Sequence, residues 1–138
     1  LKKGDILFTP SSETPDDIGH SAVIIEDLPN TVYSYHLVRF RPKKSIDLKF
    51  SGYVFNNIDI LKEFAKRANG STRFTLSIKD FNETKAKLPS LLEQHKIAEV
   101  LSLADDEINL LKNELEELKL QKKALMQKLL TGQVRVKV

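Results

Sequence analysis

The sequence predicts an α+β protein, with a small mixed α/β domain followed by one long coiled-coil-forming helix. Three observations lead to this prediction. Short runs rich in Val, Ile, Phe and Tyr alternate with turn residues in the first part of the chain. A capping-box motif, Ser90 with Glu93 three residues later, follows Pro89. Beyond it, apolar residues recur every 3.5 residues on average over about five heptads. The predicted boundaries are 1–89 for the domain, 90–132 for the helix and 133–138 for an extended tail.

Composition excludes several classes of protein. The 138 residues suit one domain with an appendage, and 41% hydrophobic residues are enough for a core. With 30% charged residues, five Gly, five Pro and no sustained apolar run, the chain is neither collagen-like, disordered nor membrane-spanning. The chain opens at Leu1 without an apolar leader segment, so we expect a cytoplasmic protein whose first domain is truncated at its N-terminus.

Within the first domain, patterning predicts four strands, a helical region, a further strand and a short terminal element. The strands are expected at residues 5–8, 21–25, 31–35 and 37–40, separated by turns rich in Pro, Asp, Asn and Gly. Apolar residues at three- and four-residue steps predict a helical region over about 47–68, which Asn69-Gly70 ends. A strand at 71–76 and a turn or short helix at 78–81 complete the domain.

The long helix carries its apolar residues on a single seam. Thr131-Gly132 provides the C-terminal stop, and Val134, Val136 and Val138 then alternate with basic residues, as in a short strand or extended tail. Lys122 is the single exception in the seam. The remaining seam positions are Ile97, Leu101, Ala104, Ile108, Leu111, Leu115, Leu118, Leu125 and Leu129.

Length and charge indicate what the seam contacts. One alternative is that it packs on the chain's own domain, but forty helical residues span roughly 60 Å and a domain of this size is only about 25–30 Å across. All eight acidic residues after position 89 precede Leu118, and six of the eight basic residues follow it. An antiparallel copy would therefore pair acid with base along the helix. We expect an antiparallel homodimer in isolation.

Signatures of catalysis and metal binding are absent from the sequence. There is no Cys, and the three His lie far apart without ligand spacing, so no metal site is predicted. His20 adjoins Ser21, but no G-x-S-x-G turn accompanies them, and no glycine-rich phosphate loop occurs. Asp16-Asp17 is more simply a solvated turn. We predict that the chain is not an enzyme.

Basic residues are the stronger functional signal. Arg39, Arg41, Lys43, Lys44 and Lys49 fall within eleven residues of one another. A second group, Lys62, Lys66, Arg67 and Arg73, flanks Gly70 with two hydroxyl residues beside it. Lys and Arg release counterions when they contact phosphate, while hydroxyl groups fix register, so both groups suit nucleic acid. The alternative is a solvated basic surface.

Several motifs resemble those of a known family. Residues 88–101 read LPSLLEQHKIAEVL, followed by Asp105 or Asp106 and Ile108. Other matching features lie at residues 4–8, 37–42, 68–73 and 121–132, and at Gly19. This pattern resembles the specificity (S) subunits of type I restriction-modification systems, with a target recognition domain followed by a conserved spacer helix. The resemblance covers nearly the whole chain and suggests the C-terminal half of such a subunit.

The resemblance implies a function and a set of partners. The chain would read one half of a bipartite site in double-stranded DNA and dock the modification (methyltransferase) and restriction subunits through its helix. It would hold no cofactor itself, because S-adenosylmethionine, ATP and Mg belong to those partner subunits. No membrane role is expected. The competing hypothesis is a coiled-coil adaptor that does not bind DNA.

The candidate DNA contacts come from loops of the first domain. A base-reading side chain needs directed donors or acceptors on an exposed loop. Arg73 has the chemistry to pair with guanine, although a phosphate contact or an ion pair with Asp80 would also suit it. The long loop over 9–20 is the second source of candidates. Together the predicted contacts are Ser12, His20, Arg41, Lys43, Lys44, Ser71, Thr72 and Arg73.

Overall fold

A computed structural model describes residues 1–137 and divides the chain into two compact units. The first unit, Leu1–Glu99, is called the head below, and the part of the long helix after it, residues 100–130, is called the outer helix. In chain order the elements are β1 (Ile6–Phe8), β2 (Ser11–Ser12), β3 (Ser21–Val23), β4 (Val38–Phe40), α1 (Leu48–Val54), α2 (Ile58–Arg67), β5 (Phe74–Thr75), α3 (Ile78–Glu83) and α4 (Leu91–Leu130). Helices and short strands are mixed as the α+β prediction requires, so the fold class is confirmed.

Two small antiparallel sheets form the β part of the head. In the first, β1 lies between β3 and β4, with Ile6 opposite both Val23 and Phe40. The second pairs β2 with β5, so that Ser12 lies opposite Phe74. Along β1 the burial alternates, since Ile6 and Phe8 are buried and the residue between them is half-buried. This period of two directs one face of the central strand into the core.

Aromatic rings fill much of the core. The Phe8 ring meets those of Phe55 and Phe64 edge-to-face, with centroids 5.7 and 6.1 Å apart. Such edge-to-face pairs favour the contact of a positive ring edge with a negative ring face. Gly19 lies against this cluster with φ +81°, and a Cβ there would lie 2.3 Å from the Phe64 ring. Only glycine fits this position, because both the backbone conformation and the close ring exclude a side chain.

The helical region predicted over 47–68 is present and consists of two helices, α1 and α2. Asp47 caps α1 by accepting a 2.9 Å hydrogen bond from the Phe50 N–H. The chain then leaves the helix after Val54, and Asn57 caps α2 by accepting bonds from the N–H groups of Asp59 and Ile60. The side-chain oxygen of Asn57 thus satisfies two N–H groups at the start of a second helix.

The strand predicted at 31–35 is wrong, and the other four predicted strands are longer than those observed. Residues 31–34 are irregular, and the side chains of Val32 and Tyr35 are 92% and 87% exposed, so the alternation there buries nothing. The strand predicted at 71–76 contracts to β5, and the strand at 21–25 to β3. The short element after β5 is the helix α3, which a capping box between Ser77 and Asp80 starts.

The long helix is confirmed at both ends. The Ser90 hydroxyl accepts a 3.4 Å hydrogen bond from the Glu93 N–H, and α4 starts at Leu91. Gly132, at φ +73°, ends the helix. The Gly132 N–H donates to the Leu129 carbonyl at 3.2 Å, and the Val134 N–H donates to the Lys128 carbonyl at 3.0 Å. Left-handed glycine at a helix end satisfies the last carbonyls in this way. Residues 133–137 form no strand, and Val138 of the predicted tail lies outside the described residues.

Candidate nucleic-acid interface

A buried ion pair anchors the first basic group. The Asp5 carboxylate is fully buried at the start of β1, and Arg41 follows the last residue of β4, directly opposite it in register. Arg41 donates from Nε to Asp5 Oδ1 at 2.6 Å and from Nη2 to Oδ2 at 2.7 Å. The Lys2 N–H donates a third bond to Oδ2 at 2.9 Å. The hydrogen bonds from Arg41 lower the pKa of Asp5 to about 2, although burial alone would raise it.

The exposed side of Arg41 lines a basic cleft. The cleft has a volume of about 310 Å³, and its cationic lining residues are Lys2, Lys3, Arg41 and Lys44. All four are exposed at the surface, whereas Asp5 lies beneath. Lys43, the neighbour of Lys44 in the chain, does not line the cleft. The structure therefore brings together two of the three predicted contacts in this segment.

The second group of candidates comes together through β2 and β5. Asn69 and Thr75 exchange backbone hydrogen bonds of 3.0 and 2.8 Å, which close a tight loop over the five residues between them. Gly70 lies in this loop at φ +145°, and a Cβ there would lie 2.0 Å from the Arg73 carbonyl oxygen. Only glycine fits this position. The next three residues of the loop, Ser71, Thr72 and Arg73, are all exposed.

Arg73 connects this loop to the long loop that the sequence singled out. Its Nη2 donates to the Ser11 hydroxyl at 3.2 Å, so the guanidinium lies beside the strand that contains Ser12. The pairing with Asp80 does not form within the described residues, because the Asp80 carboxylate accepts from the N–H and the hydroxyl of Ser77 at 2.8 and 2.6 Å. His20, also exposed, lies at the other end of the long loop, where its carbonyl accepts the Thr9 N–H at 2.9 Å.

Other basic residues near Gly70 are already paired. Arg67 donates to Glu63 at 3.1 Å and to Glu83 at 2.8 Å, and Lys66 lies 3.7 Å from the same Glu63. These carboxylates compensate the positive charge of α2 within the head. The basic surface is thus smaller than the sequence suggests.

Sequence reasoning missed Asp5 and the two lysines before it. The available signal was strand register, since Asp5 and Arg41 flank two runs that pair antiparallel. It also missed Gln94, which is buried in the head although it lies on α4. Gln94 accepts the Asp47 N–H at 2.9 Å and donates to the Pro89 carbonyl at 2.9 Å. The pKa of Asp47 is lowered, mainly by the hydrogen bond from the Phe50 N–H and further by His95.

The seam of α4 divides into two parts. Ile97 packs against the core of the head, beside the buried Ala98. From Leu101 onward every seam residue is exposed, and the seven large aliphatic ones are between 36% and 56% exposed. Monomeric proteins rarely leave a contiguous apolar stripe of this length in water. No helix among the described residues is long and apolar enough to span a membrane.

Comparison with known proteins identifies relatives across the whole chain. The family model described as type I restriction modification DNA specificity domain matches residues 1–120. A protein named as a type I restriction enzyme MjaVIII specificity subunit, from Methanocaldococcus jannaschii, is 32% identical over 99% of this chain and 32% of its own length. A putative MjaX specificity subunit from the same organism is 36% identical over 62% of this chain and 20% of its own length. The chain spans about a third of the length of the MjaVIII protein and a fifth of the length of the MjaX protein.

Proposed function

We propose that this chain, which belongs to the family of type I restriction modification DNA specificity domains, reads one half of a bipartite sequence in double-stranded DNA. The observation that carries the proposal is the pairing of β2 with β5, which joins two loops far apart in sequence into one polar surface. Ser11, Ser12 and Arg73 meet on that surface. Directed donors on rigidly supported loops are what base readout requires.

Base and phosphate contacts divide between the two groups under this proposal. Arg73 offers N–H donors to a guanine edge, and Ser71 and Thr72 beside it contact the sugar-phosphate backbone. The segment from Arg41 to Lys44 supplies positive charge for phosphates. His20 and Ser12, from the long loop, complete the predicted contact set. All of these side chains belong to the head, so the outer helix remains free for protein partners.

The outer helix serves assembly in this proposal. Its exposed seam docks the modification subunits, and through them the restriction subunit, of a type I complex in the cytoplasm. Methyl transfer and cleavage, with S-adenosylmethionine, ATP and Mg, take place on those subunits, and this chain is not catalytic. In isolation the seam pairs with a second copy, because an unshared apolar stripe would remain in water.

Charge order and seam spacing favour one register for that homodimer. An antiparallel pair centred on the seam places Ile97 of one copy opposite Leu129 of the other. In this register the numbers of two facing residues always add up to 226. Leu111 then meets Leu115, and Ile108 meets Leu118. Lys122 meets Ala104, the smallest seam residue, which leaves space for the lysine stem to reach solvent. The exception in the seam is thereby accommodated.

DNA binding itself is tested by a fluorescence anisotropy titration of the full chain on duplex DNA at several salt concentrations. The proposal predicts that log K falls linearly with log salt, with a slope of about −0.9 for each phosphate neutralised. A coiled-coil adaptor would show no binding even at low salt, and that result would contradict the proposal. A binding constant that did not change with salt would also contradict it.

Half-site reading is tested with Arg73→Ala in an assembled methyltransferase complex, assayed on single-base variants of the cognate site. If Arg73 reads a base, the variant loses about 1–3 kcal/mol on the cognate base and discriminates less at that one position. Lys62→Gln, at an exposed residue of α2 outside the predicted contact set, is the control and should leave the base preference unchanged. Uniform weakening across the panel would assign Arg73 to the phosphate backbone instead.

A further inference from the structure

We propose that the cleft lined by Lys2, Lys3, Arg41 and Lys44 binds one backbone phosphate of duplex DNA, and that the buried Asp5 is the residue that positions Arg41 for this contact. The inference rests on the proposed function and deepens it by assigning one phosphate to one site. It adds three residues, Asp5, Lys2 and Lys3, that sequence patterning did not select.

The geometry of Arg41 supports the positioning role. A guanidinium has five N–H donors in one plane, and Asp5 takes one from Nε and one from Nη2. Three donors remain, and the Arg41 side chain is 45% exposed. Asp5 is itself held by the Lys2 N–H and by its place at the start of β1. The orientation of Arg41 is therefore fixed before any ligand arrives, which reduces the entropy lost on binding.

The charges around the cleft select an anion. Among the ion pairs of residues 1–137, none involves the side chain of Lys2, Lys3 or Lys44. The two nearby carboxylates are occupied, Asp5 by Arg41 and Asp27 by the Lys3 N–H at 2.8 Å. The lining of the cleft contains four cationic side chains and neither of these two carboxylates. Such convergence of Lys and Arg suits a phosphate better than a base edge, since ammonium groups act as point charges without planar geometry.

The size of the cleft agrees with this ligand. Its volume of about 310 Å³ is well above the roughly 10–15 Å³ that a cavity needs to hold one water molecule. A phosphodiester with part of its hydration shell fits this space. The cleft is open to solvent on the side where its three lysines are exposed, as a continuous DNA backbone requires.

A substitution of Asp5 distinguishes two explanations, because they predict changes of opposite sign in the affinity for DNA. Asp5→Asn removes a negative charge, so attraction between net charges alone would strengthen DNA binding. If Asp5 positions Arg41, the same change weakens binding, because the guanidinium loses its fixed orientation. We expect Asp5→Asn to weaken binding roughly tenfold at constant salt, as for the loss of one charge-assisted contact.

The matched pair Lys44→Gln and Lys43→Gln tests the cleft itself. The two residues are neighbours in the chain, both exposed and of equal charge, but only Lys44 lines the cleft. In an anisotropy titration of the full chain on duplex DNA, Lys44→Gln should reduce the salt slope by about one unit. Lys43→Gln should reduce it clearly less. Equal reductions would overturn the assignment of the phosphate to the cleft.

Circular dichroism shows whether Asp5→Asn folds. If it does not, Arg41→Lys tests the same role, because it keeps the positive charge and removes the planar guanidinium. We expect it to bind about tenfold more weakly with an unchanged salt slope. Wild-type affinity in Arg41→Lys, or wild-type or tighter affinity in a folded Asp5→Asn, would overturn the positioning role. If the wild type binds DNA with a steep slope but no cleft variant changes it, the inference fails and the proposed function stands. A wild type that binds no DNA overturns both.

Discussion

The head and the outer helix both contain many aliphatic residues but use them differently. The head buries ten apolar side chains in one cluster, from Ile6 to Ala98. Among the described residues from Val100 onward no side chain is buried, and Leu103 and Leu110 are 65% and 67% exposed. The head buries apolar side chains within the chain, whereas the outer helix leaves its apolar side chains exposed. The stability of the head should therefore be intrinsic, and that of the outer helix should depend on a partner.

The largest expected effect is on the pairing of the outer helix. Leu111→Asp would place an unpaired carboxylate in an apolar layer and should abolish the homodimer. Leu110→Asp is the matched control, since it introduces the same charge one residue away from the seam. Sedimentation equilibrium at tens of micromolar should show a monomer for the first and a dimer for the second. Equal behaviour of the two variants would remove the seam as the interface.

A cavity in the head should lower the free energy of unfolding more than truncation of an exposed residue off the seam of the outer helix. Phe64 is 3% exposed and its ring lies 5.1 Å from that of Phe81, so Phe64→Ala should reduce the free energy of unfolding by about 3–5 kcal/mol. Leu110→Ala, at an exposed position, should change it by less than about 0.5 kcal/mol. Denaturant unfolding of both variants measures the contrast. Comparable losses would show that the two regions do not differ in this way.

Two glycines of the head should respond in opposite directions to the same added methyl group. Gly19→Ala forces a Cβ into the Phe64 ring at positive φ and should destabilise the head by about 1–3 kcal/mol. Gly52, inside α1, has nothing within 4 Å of its missing Cβ. Gly52→Ala should stabilise the head by about 0.5–1 kcal/mol, as Ala favours helix. Thermal unfolding would show the sign of each change directly.

Acid should affect the head through Asp5. Its folded pKa is lowered from 3.8 to about 2, so its contribution to stability is complete above about pH 4 and is lost as the pH falls through about 2. Asp5→Asn removes this component, and its unfolding free energy should change less between pH 4 and pH 2 than that of the wild type. Parallel profiles for the two proteins would contradict the lowered pKa.

Local patterning predicted the long helix well because its signals are short-range and agree with one another. The Ser90 cap, the 3.5-residue repeat and Gly132 each act within a few residues. The strand prediction failed at 31–35, where Val and Tyr alternate without any surface to pack against. Patterning also did not show that the helical region is divided at Asn57, whose side chain caps α2. Neither outcome follows from hydrophobic periodicity alone, because burial depends on distant residues and the Asn57 cap acts through side-chain hydrogen bonds from the N–H groups of Asp59 and Ile60.

The candidate site shows the same limit. Composition indicated the basic segments, but it gave no sign that Arg67 is occupied by two carboxylates while Lys2 and Lys3 join Arg41. The pairing of Arg41 with Asp5, 36 positions apart, depends on strand register, whereas that of Arg67 with Glu83, 16 positions apart, depends on the contact between α2 and α3. Only the pairing of Arg67 with Glu63 is local, four residues away. The contact between Arg73 and Ser11, 62 positions apart, depends on the pairing of β2 with β5. Long-range pairing therefore decides which charges remain available to a ligand.

Cysteine cross-linking tests most directly the claim that the outer helix is completed by an antiparallel copy. The chain has no cysteine, so Ala104→Cys and Lys122→Cys each introduce a single thiol. A disulfide requires Cβ atoms about 3.5–4.5 Å apart, and the proposed register brings position 104 of one copy to position 122 of the other. The account predicts cross-linked dimers when the two variants are mixed and oxidised, and none when either is oxidised alone. Cross-linking of each variant to itself would show a parallel pair, and no cross-link in any sample would show no pair in this register. Either result would contradict the account.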